Sequence, residues 1–246
     1  MSVASRVTGL ITIGVATALT ALGPFAPSAH AEKAPVYVGS GQEIAIASDN
    51  FLTGSTGSQT LKGCTIAYLV VDDNGSDLSA LTAGHCGDRG DEVSVGGERI
   101  GVIESGHAPA TLPGGLIIGN ATSPDWAVID LDDHIKPQLS SDKITPRTVA
   151  PAKVGDKVCS TGRTSGWACG TVTAVTGDWI TTSIPRDSGD SGGPLYRPAD
   201  GAALGILGNV TSPLIGPGDT SSQYYSVPAV LENTGTFLAV STSTDD

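Results

Sequence analysis

The stretch DSGDSGGP, Asp187–Pro194, places Ser191 in a glycine-rich turn. A serine hydroxyl is a weak nucleophile at neutral pH, so it needs a base within hydrogen-bond reach and an acid that orients the base. Glycines beside the serine let the backbone turn so that amide N–H groups point at one spot. Such donors stabilise the oxyanion of an acyl-transfer intermediate, and we expect the N–H groups of Gly189 and Ser191 to supply them.

Two earlier segments carry a suitable base and a suitable acid. The stretch LTAGHC, Leu81–Cys86, places His85 at the end of an apolar strand, and imidazole groups exchange protons near neutral pH. The stretch SPDWAV, Ser123–Val128, places Asp125 at the start of another strand. We expect Asp125 to hold the tautomer of His85 and to stabilise its imidazolium form, with Asp130 as the second choice for that role.

Short strand patterns separated by turn signals dominate the rest of the chain, which is typical of an all-β sandwich or barrel. The clearest strand patterns are Ala67–Val71, Glu92–Val95, Arg99–Ile103, Trp126–Leu131, Gly170–Val175, Trp179–Ile184 and Ala202–Val210. Pro228–Asn233 predicts one short helix near the end, with its proline in the first turn. Residues 135–152 have the weakest strand pattern, and we expect them to link two β subdomains.

The first 31 residues have the features of a secretory signal peptide, although an uncleaved anchor is the alternative. Arg6 is their only charged residue, Leu10–Leu22 is apolar, and Ala29–Ala31 has the small-x-small pattern of a cleavage site. We therefore expect a soluble protein that is secreted, either outside the cell or into the periplasm or cell envelope. The mature chain would begin at Glu32.

Export to an oxidising compartment permits disulfide bonds. The four cysteines allow three pairings, and the most economical one joins sequence neighbours, Cys64 with Cys86 and Cys159 with Cys169. They form no CxxC motif, and the scattered Asp residues form no recognisable calcium loop, so we expect no metal and no cofactor.

The composition favours a globular protein that does not bind nucleic acid. The chain has 246 residues, of which 39% are hydrophobic and 15% charged, so it can fill a core. Its 25 acidic and 13 basic residues give a formal net charge of -12. Nucleic acids and anionic membrane surfaces would repel such a chain. We expect a monomer that acts on protein or peptide substrates.

These segments together resemble the chymotrypsin-fold (trypsin-like) serine proteases, above all secreted bacterial members such as the streptogrisins and α-lytic protease. TAGHC around His85 and GDSGGP around Ser191 carry the resemblance, together with the loop Val158–Thr171 and the segment Tyr224–Pro228. The resemblance implies two six-stranded antiparallel β-barrels with the active site in the cleft between them, followed by a short C-terminal helix. Residues 32–140 would hold the first barrel with His85 and Asp125, and residues 141–246 the second barrel with Ser191.

The resemblance also implies a specificity pocket lined by Ser188, Gly208 and Val210. The family usually has Ser-Gly-Gly or Ser-Trp-Gly at the positions of Gly208–Val210, and a valine at the last of them should narrow the pocket entrance. Pro185 stands where trypsins have an aspartate. We therefore expect the cleaved position of the substrate to carry a small or medium apolar side chain, with a basic side chain as the alternative because Asp187 is nearby.

A second departure from the family concerns Asp190, the residue before the nucleophile. In animal members a new N-terminus, created by activation, pairs with this aspartate, and no such activation site is visible here. Bacterial relatives often supply an arginine just after the first cysteine of the second-barrel loop, but Ser160 stands at that position. Because a buried unpaired carboxylate is unfavourable, we expect Arg163 to be the partner of Asp190.

The sequence thus predicts a secreted serine endopeptidase that works through an acyl-enzyme. One alternative is a non-catalytic secreted binding module on the same scaffold, whose expected mark, loss of a triad residue, is absent. The other is a secreted esterase, since Gly189–Gly193 also matches GxSxG. The β-rich chain and the order His, Asp, Ser argue against the α/β fold of such esterases.

Overall fold

The computed structural model describes residues 35–49, 59–109, 123–210 and 221–241, and the predicted signal peptide lies outside these residues. Strands dominate the described chain, and they form three sheets. No helix within these ranges is long and apolar enough to cross a membrane.

The first sheet has eight strands, and all its neighbouring strands run antiparallel. In spatial order these strands are β17 (Phe237–Leu238), β4 (Leu69–Val71), β5 (Leu78–Thr82), β8 (Trp126–Leu131), β7 (Glu98–His107), β6 (Glu92–Val95), β2 (Glu43–Asp49) and β3 (Gln59–Thr65).

This sheet curls because β3 and β4 are two parts of one bent strand. Between β3 and β4, Ile66 N–H donates to Gln42 O (2.9 Å), which lies next to β2. Tyr68 O, just before β4, accepts a hydrogen bond from the N–H of Leu81 in β5 (2.8 Å). The bend therefore joins the two ends of the sheet around a core of fully buried aliphatic side chains. That core includes Ile44, Ile66, Leu81, Ile100 and Ile129.

The second sheet closes on itself. In spatial order its strands are β10 (Thr148–Val149), β15 (Ala202–Val210), β14 (Pro194–Arg197), β11 (Lys157–Ser160), β12 (Ala168–Thr176), β13 (Trp179–Thr182) and β16 (Ser222–Ser226). Since β16 also pairs with β15, six antiparallel strands form a closed barrel, and β10 is added in parallel to β15. Val158, Ile180, Ile184 and Leu195 fill its separate core.

The predicted all-β fold with a short C-terminal helix is confirmed. The helix α1 (Val227–Thr234) has a proline in its first turn, and it ends at Gly235, whose left-handed conformation (φ 69°) lets its N–H donate to Leu231 O. Val227 and Val230 of α1 pack into the core of the first sheet, to which β17 also belongs. The chain thus returns to the first sheet after it has built the second.

The segment predicted as a linker is only partly irregular. Its residues 135–138 form β9 (Ile135–Gln138), which pairs in parallel with β1 (Val36–Gly39), and β10 also lies within it. The segment therefore contains short strands, whereas its role as the link between two β subdomains stays a prediction. The division of the chain between residues 140 and 141 stays a prediction.

Both expected disulfides are present, Cys64–Cys86 and Cys159–Cys169. The first joins the end of β3 to the turn after β5. The second joins residues that face each other across β11 and β12. The pairing of sequence neighbours, expected as the most economical one, is confirmed.

Candidate active site

His85 lies in a single turn of 3₁₀ helix, Gly84–Cys86, directly after β5. The turn packs so closely on β7 that a Cβ atom on Gly84 would collide with the carbonyl oxygen of His107. The Cys64–Cys86 disulfide ties the same turn to β3. These contacts hold the backbone of His85 in place from two sides.

Asp125 is fully buried and stands one residue before β8. Thr82 of β5 pairs with Ala127 of β8, so the end of one strand lies beside the start of the other. Asp125 Oδ1 accepts a hydrogen bond from the backbone N–H of His85 (2.9 Å), and Asp125 Oδ2 lies 2.8 Å from His85 Nδ1. The carboxylate therefore fixes both the backbone and the ring of His85.

Asp130, the second choice for the acid, lies on the exposed side of β8 and pairs across the sheet with Ser79. The structure thus brings Asp125 to His85 and leaves Asp130 at the surface.

Ser191 lies in the loop that joins β13 to β14 of the second sheet. Its Oγ lies 2.9 Å from His85 Nε2, so hydroxyl, imidazole and carboxylate form a continuous chain of hydrogen bonds. His85 keeps 15% of its side-chain surface exposed, whereas Asp125 is fully buried. The predicted nucleophile, base and acid therefore meet between the two sheets.

The loop around Ser191 leaves two amide groups available. The N–H groups of this loop that donate to neighbouring atoms belong to Asp187, Ser188, Asp190, Gly192 and Gly193. Among the residues described, no acceptor takes the N–H groups of Gly189 and Ser191, the two predicted oxyanion donors. Gly189 (φ 96°) and Gly192 (φ 86°) adopt the left-handed conformation that favours glycine, which explains the residue types of this turn.

Asp190 is buried beneath this loop and has a different partner from the expected one. Arg186 Nη1 lies 3.9 Å from Asp190 Oδ2, and both side chains are fully buried. Arg186 also donates to the carbonyl oxygens of Gly166 and Ser160, at 2.7 Å each. The expectation that Arg163 would pair with Asp190 was therefore wrong.

Backbone N–H groups complete the environment of Asp190. Its Oδ1 accepts hydrogen bonds from Thr164 (2.8 Å) and Ser165 (2.9 Å), and its Oδ2 accepts one from Asp187 (2.9 Å). Burial alone would raise the pKa of Asp190, but hydrogen bonds from Ser165, Asp187 and Thr164 outweigh it and hold that pKa below its ordinary value. The carboxylate thereby joins the loop at 164–165 to the loop that carries Ser191.

Arg163 points across the cleft to the first sheet instead. Its Nη2 lies 2.7 Å from Glu43 Oε1, and its aliphatic stem packs against Gly189. The sequence does contain a basic residue, Arg186, four positions before Asp190. The partner of a long arginine side chain depends on the direction in which its loop points it, however, and the sequence alone does not give that direction.

The predicted pocket residues are distributed around the site. Ser188 is exposed, and its carbonyl oxygen accepts a hydrogen bond from Thr164 Oγ1 (2.7 Å). Gly208 lies against the acid, since a Cβ atom there would be 2.7 Å from both Asp125 Oδ2 and the Trp179 ring. The side chain of Val210 lies outside the described residues. The pocket assignment stays a prediction.

Within the described ranges, no group of three or more His, Cys, Asp or Glu side chains is arranged to hold a metal ion.

Comparison with known proteins gives one family and one fold. The family described as "trypsin-like peptidase domain" matches residues 69–206 of this chain. An uncharacterized protein of Mycobacterium tuberculosis is 32% identical over 196 residues, which are 78% of this chain and 80% of that protein. Streptogrisin-C of Streptomyces griseus is 30% identical over 162 residues, which are 61% of this chain and 33% of that protein.

Among solved structures, protease A of Thermobifida fusca has a TM-score of 0.62 and 21% identity to this chain. The match covers 84% of this chain and 100% of that one, and it shows a shared fold. These comparisons confirm the resemblance drawn from the sequence motifs.

Proposed function

The chain belongs to the family of trypsin-like peptidase domains, and from this premise we propose that it is a secreted serine endopeptidase that works through an acyl-enzyme. The observation that carries the proposal is the chain of contacts from Ser191 Oγ to His85 Nε2 (2.9 Å) and from His85 Nδ1 to Asp125 Oδ2 (2.8 Å). This arrangement is the one that activates a serine hydroxyl, because the buried carboxylate orients the imidazole and the imidazole faces the hydroxyl.

The first half of the reaction forms the acyl-enzyme. Ser191 Oγ attacks the peptide carbonyl carbon while His85 Nε2 takes the hydroxyl proton, and Asp125 stabilises the imidazolium that forms. The carbonyl oxygen becomes an oxyanion, which the N–H groups of Gly189 and Ser191 would stabilise. His85 then gives its proton to the leaving nitrogen, the C–N bond breaks, and an ester to Ser191 remains.

The second half hydrolyses that ester. Water replaces the departed amine, and His85 takes a proton from it as the water oxygen attacks the ester carbonyl. The same two N–H groups serve the second tetrahedral intermediate. Its collapse releases the new carboxyl group and returns the proton to Ser191 Oγ.

A fluorophosphonate probe tests this proposal, because it reacts with an activated serine and adds a defined mass. We expect the mature protein to be labelled once, Ser191→Ala to stay unlabelled, and Ser140→Ala, a change at an exposed serine of the segment between the sheets, to be labelled like the unchanged protein. A folded protein that stays unlabelled would favour the binding module. Turnover of short esters without turnover of peptides would favour the esterase.

For substrate choice, we propose that Ser188, Gly208 and Val210 line the primary pocket and favour a small or medium apolar side chain. Pro185, an uncharged residue where trypsins have an aspartate, supports this preference. A peptide library digested by the mature protein, with Ser191→Ala as the blank, measures the preference. Dominant cleavage after Lys or Arg would contradict it.

For location and assembly, we propose that residues 1–31 are removed on export and that a monomer acts on protein or peptide substrates, without nucleic-acid or membrane partners. Two disulfides support an oxidising compartment. Intact mass of the protein from culture fluid or cell envelope should match a chain that begins at Glu32. Light scattering on the eluted protein measures its assembly state.

A further inference from the structure

Thr65, at the end of β3, makes three hydrogen bonds to loops of the other sheet. Its Oγ1 donates to the carbonyl oxygen of Gly189 (3.2 Å) and accepts from the N–H of Arg163 (3.2 Å). Its own N–H donates to the carbonyl oxygen of Ser191 (2.8 Å). Thr65 is fully buried, so water does not compete for these bonds.

These bonds reach the two residues that supply the free amide groups. The N–H groups of Gly189 and Ser191 have no acceptor among the described residues, and Thr65 binds the carbonyl group of each of these two residues. Gly189 has no Cβ and a φ of 96°, so it turns more easily than any neighbour with a side chain. An anchor on its carbonyl limits that rotation and therefore fixes the direction of the peptide groups around it.

The position of Thr65 is itself well determined. Its carbonyl oxygen accepts a hydrogen bond from Thr82 Oγ1 (2.9 Å), another fully buried hydroxyl. A Cβ atom on Gly192 would collide with Thr82 Oγ1 and Thr65 O, so the loop of Ser191 lies directly on this part of the first sheet. The neighbouring Cys64 is linked to Cys86, beside His85. Thr65 thus stands between the base and the oxyanion donors.

We propose that Thr65 is a positioning residue that sets the geometry of the oxyanion hole from the opposite barrel, an inference that rests on the proposed function. The hydroxyl group of Thr65 makes two of the residue's three hydrogen bonds to the other sheet, and Thr65→Val keeps the shape of the side chain but removes this partner from Gly189 C=O and Arg163 N–H. Transition-state stabilisation should then fall while substrate binding in the ground state stays almost the same.

The test compares Thr65→Val with Thr65→Ser, which retains the hydroxyl, and with Thr182→Val. Thr182 is a matched control because it is also fully buried, and its hydroxyl binds Ser222 Oγ (2.9 Å) and Ile184 N–H (3.2 Å) within the second barrel. We expect Thr65→Val to lower kcat about 10- to 100-fold, less than the roughly 10²- to 10³-fold effect of deleting an oxyanion donor. KM should stay within about twofold, and the affinity for a peptide boronic acid should fall in parallel with kcat/KM.

Thr65→Ser should regain most of the lost kcat, and Thr182→Val should lower the melting temperature without changing kcat. The proposal is overturned if Thr65→Val has unchanged kcat, if it changes KM alone, or if Thr182→Val loses kcat equally. If the unchanged protein neither cleaves peptides nor reacts with the fluorophosphonate, the proposed function fails. Hydrogen exchange then decides the positioning role: peptides covering residues 187–193 should exchange faster in Thr65→Val than in Thr182→Val, and equal exchange overturns it.

Discussion

The guanidinium of Arg186 lies 3.9 Å from the carboxylate of Asp190, and neither side chain reaches solvent. This pair anchors the loop of Ser191 from below, since Asp190 also accepts N–H groups from Thr164, Ser165 and Asp187. In this chain the charge of Asp190, the residue before Ser191, is therefore neutralised by an arginine four positions away, within its own loop.

Arg186→Met should destabilise the protein by about 3–5 kcal/mol, because it leaves the buried charge of Asp190 without its cation. Denaturant unfolding at neutral pH measures this loss. Arg163→Met is the matched control: its ion pair with Glu43 is largely exposed, so its removal should change the unfolding free energy by about 0–1 kcal/mol. Equal losses in the two variants would contradict the assignment of Arg186 as the partner of Asp190.

Stability should decline in acid partly through Asp190. Because its pKa is lower in the folded chain than its ordinary 3.8, the group stabilises the fold above that ordinary value and loses this contribution as the pH falls through the lowered pKa. Asp190→Asn removes the titration. Its free energy of unfolding should be lower at neutral pH and should fall less steeply below about pH 4 than that of the unchanged protein. Parallel acid profiles of the two proteins would show that Asp190 does not contribute.

Asp125→Asn should lower kcat on the order of 10⁴-fold while the protein stays folded, because the amide favours the wrong tautomer of His85. Asp130→Asn is the control, since that side chain is exposed on the same strand, and its kcat should match the unchanged protein. Steady-state peptide hydrolysis measures both variants. A large loss in Asp130→Asn with a small one in Asp125→Asn would exchange their roles.

Gly208→Ala should lower kcat on the order of 10²-fold, because its Cβ atom would stand 2.7 Å from Asp125 Oδ2 and displace the carboxylate from His85. The same Cβ atom would press on the Trp179 ring, also at 2.7 Å. The double change Gly208→Ala with Trp179→Phe makes room on that side, so it should recover part of the lost kcat. Unchanged kcat in Gly208→Ala would mean that the carboxylate tolerates the methyl group.

Most strands could be predicted because their apolar side chains follow a local pattern. The expected strands at Glu92–Val95 and Trp126–Leu131 have those bounds in the structure. Strand β9, Ile135–Gln138, was missed because it is short and contains Pro137, and its pairing with the distant β1 is what makes it a strand.

The parts of the candidate site that could be predicted are those where the reaction needs a particular side chain in a tight turn of the backbone. Ser191 and His85 stood out because their motifs combine a reactive side chain with glycines that the backbone needs there. Arg186 did not stand out, since a guanidinium on a long flexible stem is compatible with many partners. Thr65 did not stand out either, because a threonine after a cysteine carries no local signal.

The order of residues along the chain was enough to predict the reactive groups, since hydroxyl, imidazole and carboxylate groups have the same chemistry wherever the backbone carries them. Tertiary packing decided which groups hold them in place: the folding of a single loop brought Arg186 beside Asp190, and the packing of one barrel on the other brought Thr65 to Gly189. Thr65 and Gly189 are 124 positions apart, and a hydrogen bond acts over only about 3 Å, so this contact arises when both barrels have folded and met.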